Sequence, residues 1–240
     1  MTFEEIVRYR RSVRHYKETP IDSEKVQQCL ELATLAPNSS NMQLWAFYHV
    51  TNPDLLEQLA VACLNQKTAT TARQMVVFVT RQDLYRKRAR QMLALETENV
   101  QRNSAEEKQA ARVKRWKMYY GTVIPFLYSR FFGLWGLFRK IMVHVAGLFR
   151  PMPYQVSECD LRVVVHKTCA LAAQTFMLAM ANEGYDTCPM EGFDSKRVKR
   201  ILNLPRGAEI TMVVSCGIRE PGGVWGERMR VPFEKVYKRI

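Results

Sequence analysis

Apolar positions along the chain open with a short capped stretch and then separate into distinct runs. Thr2 and Glu5 stand at the S/T-x-x-E spacing of a capping box, which predicts a helix over residues 3–10. A second helix is expected after Asp22, with apolar residues at 26, 29, 30 and 32–33, ending where APNSSN breaks the period. LWAFYHVT at 44–51 and QMVVFVT at 74–80 are β-branched or aromatic runs bounded by turn or helix signals and read as strands. A helix from Pro53 to about Cys63 lies between them.

From Asp83 to about Tyr120 the pattern is charged and helical, with a second capping box expected at Ser104 and Glu107, as in a solvent-facing helical pair. Residues 121–150 then become apolar and aromatic. Within 131–149, Leu134, Leu137, Phe138, Ile141, Val145 and Leu148 share one helical face, and Gly133, Gly136, Lys140, His144 and Gly147 share another. The stretch is nearly long enough to span a bilayer, but Arg139 and Lys140 at its centre argue against a transmembrane helix. It reads as a lid or dimer element packed against a core, as a peripheral membrane contact lying in the plane, or as a site for another partner. A long helix is expected from Asp160 to near Gly184, its apolar stripe suiting a core or a dimer interface. YDTCPMEGF, a helix from Asp194 to Leu202, the strand EITMVVSCGI and a basic tail follow. No internal repeat or linker divides the chain, so a single domain spanning 1–240 is expected.

Charge sharpens this picture: 36 Lys and Arg against 23 Asp and Glu give a net +13, which favours anionic partners. The six cysteines are far apart without a CxxC pair, and no signal peptide precedes the first helix, so a reduced, cytoplasmic chain is expected. The four histidines lack HxxxH or HExxH spacing, and no metal site is expected. Neither GxGxxG, GxxxxGK[ST] nor GxSxG occurs, and GGVWG at 222–226 follows a strand without opening a helix, as a turn would. A nucleic-acid reading module is likewise missing.

Four short signals remain: RYRRSVRHY at 8–16, PNSSNMQLW at 37–45, CPMEGF at 188–193 and ERMRVPFEKV at 227–236. Together, in this order, they resemble the flavin-dependent nitroreductase family, over residues 2–80 and 156–240, whereas about 84–155 match poorly. The resemblance implies an α+β sandwich with a central, mostly antiparallel sheet flanked by helices, a homodimer, and a variable helical lid at about 84–155. It implies FMN as cofactor and NADH or NADPH as donor. The acceptor would be a small electron-poor molecule such as a nitroaromatic, quinone or activated alkene, reduced in a ping-pong cycle. Reductive dehalogenation is a second activity class among such proteins, and a non-catalytic basic protein bound to membrane or nucleic acid is the rival of another kind.

Carried over by motif, Arg10, Arg11 and Ser12 would meet the FMN phosphate with Arg228 and Arg230, since guanidinium forks suit phosphate oxygens. Arg14 would lie beside the flavin N1 and C2 carbonyl, where a fixed positive charge favours hydride acceptance. Pro37, Asn38, Ser39 and Asn41 would approach the flavin from the opposite subunit, with Leu44 standing where the family pattern has proline. Asn65 would bond the pyrimidine edge. Glu191 and Gly192 would present backbone N–H groups near flavin N5, glycine permitting the approach, with the preceding Pro189 and Met190 also lining the cofactor.

Overall fold

The computed structural model describes residues 1–240. In chain order the elements are α1 (Phe3–Tyr9), α2 (Ser23–Ala33), β1 (Trp45–Val50), α3 (Pro53–Ala62), α4 (Lys67–Thr70) and β2 (Gln74–Thr80). Then come α5 (Tyr85–Asn103), α6 (Glu106–Met118), a π-helical turn over Tyr119–Val123, α7 (Ile124–Tyr128), α8 (Leu134–Gly147) and α9 (Glu158–Asn182). β3 (Asp186–Met190), α10 (Ser195–Ile201), β4 (Glu209–Gly217) and α11 (Phe233–Val236) complete the chain.

Local chemistry sets most of these boundaries. The Thr2 hydroxyl accepts from the Glu5 N–H while the Glu5 carboxylate accepts from the Thr2 N–H, closing the expected capping box. Asp22 caps α2, and Asn52 caps α3, which carries Pro53 in its first turn. The expected box at Ser104 does not form. Ser104 is extended, its hydroxyl receives Arg112, and α6 begins one residue later behind Ala105. α9 starts two residues earlier than expected because Ser157 and Asp160 form the box there.

The sheet has the order β1-β2-β4-β3, with every pair antiparallel. No strand is expected from YDTCPMEGF, yet its residues 186–190 form β3. Pro189 is tolerated because β3 lies at the sheet edge, where a missing N–H need not cost a ladder bond. Alternation divides the buried side chains between two layers. Val76, Phe78, Val214 and Cys216 face α2 and α9, with the Phe78 and Phe176 rings 5.5 Å apart. Met75, Val77, Val79 and Val213 face α3 and α10.

A third apolar cluster joins the helices after β2 to this sandwich. Met42 and Leu44 from the loop before β1 meet Met92 of α5, Tyr120, Ile124, and Leu161 of α9. The Tyr120 hydroxyl donates to the Ser40 carbonyl at 3.0 Å, and the Tyr119 and Ser40 hydroxyls lie 2.7 Å apart. α8 departs from the pattern expected of a packed lid. Its apolar face points to solvent, while Gly136, Arg139 and Val143 are buried against the rest of the chain. Arg139 is drawn inside because four acceptors converge on it: the carbonyls of Val156, Phe126 and Ser129 and the Ser129 hydroxyl, at 2.7–3.2 Å.

Candidate active site

The two ends of the chain meet at the end of the sheet that carries β3. After α1, residues 12–16 run as an extended segment: Ser12 bridges to Thr187 in parallel, Tyr16 bridges to Arg219 in antiparallel, and the Arg14 N–H donates to the Gly223 carbonyl at 2.7 Å. Gly223 is required there, since a Cβ would strike the His15 carbonyl oxygen. Asp186, almost fully buried, binds the Arg219 backbone N–H at 2.8 Å and its guanidinium, which also lies 4.3 Å from the Tyr9 ring centroid. The ion pair ties α1, β3 and the exit of β4 together and raises the Arg219 pKa further, chiefly through the Asp186 hydrogen bond.

This stitching brings Arg10, Arg11, Ser12, Arg14, Arg228 and Arg230 around one cavity of about 350 Å³. Glu227 is the single carboxylate in its lining. The cavity is preloaded with positive charge. Burial first, then Arg230 and Arg11, lower the Arg10 pKa; burial, then Arg11, Arg230, Arg10 and Arg8, lower that of Arg228. Arg10 and Arg14 both extend their fields to the buried Cys188 thiol on β3, which burial pushes up and those two arginines pull back. A dianion entering here would relieve the mutual repulsion.

The arginines differ in how free they are. Arg228 donates to the carbonyls of Val7, Arg8 and Arg10, the orphan acceptors that end α1. Arg11 donates to the Gly226 carbonyl at 3.0 Å. Arg14 lies 5.5 Å from the Trp225 ring centroid. Beneath the floor a buried polar chain holds the segment in place. The Tyr16 hydroxyl donates to the Ser215 carbonyl at 3.1 Å, Thr68 donates to the Val13 carbonyl at 2.8 Å, and the Thr68 and Ser215 hydroxyls meet at 2.8 Å. The Thr187 hydroxyl alongside has no partner.

The other expected site residues do not line the arginine cavity. Pro189 and Met190 end β3, and beyond them the N–H groups of exposed Glu191 and Gly192 have no acceptor within the chain. The Gly192 carbonyl accepts from Gln66 at 2.8 Å, whereas the neighbouring Asn65, held at φ +51°, lines a separate cavity with Pro53, Leu56 and Arg73. Pro37, Asn38, Ser39 and Asn41 lie apart from the arginine cavity. Pro37 lines an apolar groove with Phe3, Ile6, Leu35 and Leu178, and Asn38 and Asn41 bond within their own loop and to Gln43.

GGVWG is a turn, as expected, with Gly222 and Gly226 at positive φ, but it also supplies Val224 and Trp225 to the cavity wall. No phosphate-binding spacing marks it. The one signal that could have found these residues is their nearness in the chain to Arg228 and Arg230.

The nitroreductase family model matches residues 7–218. The Bacillus subtilis protein MhqN, provisionally named an NAD(P)H nitroreductase, is 25% identical over 90% of this chain and 87% of its own length. Protein DrgA of Synechocystis is 27% identical over 91% of this chain and 84% of its own. Among solved structures, a provisionally named nitroreductase of Exiguobacterium sibiricum, in complex with FMN, superposes with a TM-score of 0.69. It is 22% identical, with 100% of this chain and 98% of that one covered. Bacillus subtilis YdfN superposes with a TM-score of 0.73 at 22% identity, covering 99% of this chain and 98% of its own.

Proposed function

The chain belongs to the nitroreductase family, and from that premise we propose that it is an FMN-dependent oxidoreductase. It takes reducing equivalents from NADH or NADPH and delivers them to a small electron-poor acceptor: a nitroaromatic, a quinone or an activated alkene. The observation that carries this reading is the convergence of Arg10, Ser12 and Arg14 with Arg228 and Arg230 around one cavity from opposite ends of the chain.

The donor set suits the cofactor. Guanidiniums and a hydroxyl match a phosphate dianion, and the unengaged N–H groups of Glu191 and Gly192 match the acceptor edge of a flavin ring. When bound, FMN supplies a two-electron relay between donor and acceptor, each using the same pocket in turn. The chain's own residues bind, orient and polarise. Arg10, Ser12 and Arg230 hold the phosphate; Arg228, bonded to the last carbonyls of α1, fixes Arg10 in position. Arg14 places a permanent positive charge where electron density rises on reduction. Glu191 and Gly192 would hold the ring's edge through their N–H groups, with Asn65 a further contact beside Gln66, and Pro189 and Met190 tie that corner to the sheet.

A homodimer completes the site. Pro37, Asn38, Ser39 and Asn41 do not line their own chain's arginine cavity and would serve the partner's flavin, with the helices of residues 84–155 as the lid above it.

The phosphate is the part of FMN that this reading makes decisive. Apoprotein titrated by flavin fluorescence should bind FMN at least about tenfold more tightly than riboflavin, and Arg10→Ala or Arg230→Ala should remove most of that difference. Equal affinity for the two flavins would overturn the assignment of this cavity.

A further inference from the structure

We propose that the outward face of α8, with the Phe131–Phe132 turn leading into it, docks on the headgroup region of an anionic phospholipid membrane. A helix packed on its own domain normally turns its apolar side inward. α8 does the reverse: Leu134, Leu137, Phe138, Ile141, Val145 and Leu148 are each at least half exposed.

The inversion is locked rather than loose. At Gly136 a Cβ would come within 2.7 Å of the Glu158 nitrogen, so glycine alone lets this side of α8 rest on the start of α9. A Cβ at Gly147 would meet the Tyr154 hydroxyl, the far end of a side chain that could swing aside, so Gly136 is the tighter constraint. Between them the Arg139 guanidinium is pinned by its four acceptors. Turning the apolar face inward would expel glycines from close contacts and strand a charged group.

The turn before the helix is held out in the same way. Phe132 is 95% exposed and sits at φ +46°, a conformation costly for a bulky side chain. It is kept there by the Phe131 N–H, which donates to Glu158 at 2.9 Å. An aromatic presented to solvent at such cost implies a surface that receives it.

Charge identifies that surface. Residues 108–157 contain nine Lys and Arg and no Asp or Glu. Of the nine only Arg130 has an ion-pair partner, Glu209. Lys140 and Arg150, both exposed, flank the apolar face and are unpaired. A second copy docked through a two-fold axis would press these like charges against one another. An anionic bilayer meets both demands, since acyl chains take Leu, Phe and Ile while phosphates take Lys and Arg. The face lies outside the arginine cavity, so this inference is independent of the flavin.

Vesicle flotation of the full chain tests it, with phosphatidylcholine alone and with equal parts of phosphatidylcholine and phosphatidylglycerol. The protein should float with the anionic vesicles at least about tenfold more than with the neutral ones. Leu137→Glu combined with Ile141→Glu, both at exposed positions, should abolish flotation without changing the circular dichroism. Lys140→Glu combined with Arg150→Glu should weaken it and flatten its salt dependence. A chain that stays unbound on both vesicle types, or a Leu137→Glu/Ile141→Glu variant that floats like the parent, would overturn the proposal. So would a loss of mass in that variant by sedimentation equilibrium without vesicles, which would make the face a contact between copies.

Discussion

Arg14 sits among four other arginines yet differs from them in its surroundings. Arg228 is spent on backbone carbonyls and Arg11 on Gly226, whereas Arg14 holds its backbone to Gly223 and leaves its guanidinium beside Trp225. Its charge is therefore available to whatever the cavity holds. Replacing Arg14 by alanine should slow flavin reduction by NAD(P)H by about 10–100-fold in stopped-flow measurements, while FMN retention on gel filtration changes little. An unchanged reduction rate would remove Arg14 from the chemistry and leave it a binding residue. Composition showed these side chains only as types, and it was the family resemblance that grouped Arg10 and Ser12 with Arg228 and Arg230. Arg10 and Arg230 are distant in the chain, and only the pairing of residues 12–16 with Thr187 and Arg219 brings them together. Trp225 had no motif to announce it, because its place in the wall follows from a turn whose glycines signal conformation rather than ligand.

Elements whose ends carry their own chemistry were legible. Thr2 and Asp22 each cap the helix expected after them, α3 opens at Pro53 as expected, and QMVVFVT is the fully buried central strand that its β-branched run implies. β3 was illegible because its strand character comes from β4 alongside it and its sequence contains a proline. The orientation of α8 was illegible for a related reason. Periodicity reports which residues share a face, and close contacts at Gly136 and the acceptors around Arg139 decide which face turns inward.

Arg139 should therefore be a structural keystone of this region. Arg139→Ala leaves the buried Val156 carbonyl and the half-buried carbonyls of Phe126 and Ser129 without their donor and is expected to cost about 2–4 kcal/mol, measured by urea denaturation. A cost near zero would mean that α8 is held by its glycine contacts alone.

Glu209 joins three elements in one cluster: it accepts from Arg130 before α8 and from Arg162 and His166 of α9 at the start of β4. Burial alone would raise its pKa, but the hydrogen bonds from Arg162 and His166 and the charges of Arg162 and Arg130 outweigh it and hold the carboxylate below its ordinary value. A depressed carboxylate contributes stability that is fully present above its unfolded pKa and is lost as pH falls through the folded one. Stability should thus decline on acidification below the ordinary glutamate range, and Glu209→Gln should show a shallower decline than the parent in thermal melts across that window. Parallel profiles would show that other carboxylates govern acid unfolding.

At the scale of the whole molecule, one antiparallel sheet between α2 and α9 on one side and α3 and α10 on the other serves mainly to bring chain ends together. β3 lies beside the N-terminal segment, β4 delivers the chain to Arg219, and the tail returns across Arg10. A basic N-terminus and a basic C-terminus, neither informative alone, become one anion cavity through that topology. The central claim is that this cavity holds FMN for hydride transfer. The most direct test is the visible absorption spectrum of the purified protein, recorded anaerobically before and after NADH and then NADPH. Oxidised-flavin bands that bleach with at least one donor and return with an electron-poor acceptor are the predicted result. A colourless protein that takes up no added FMN would contradict the account and return the arginine cavity to the search for another anion.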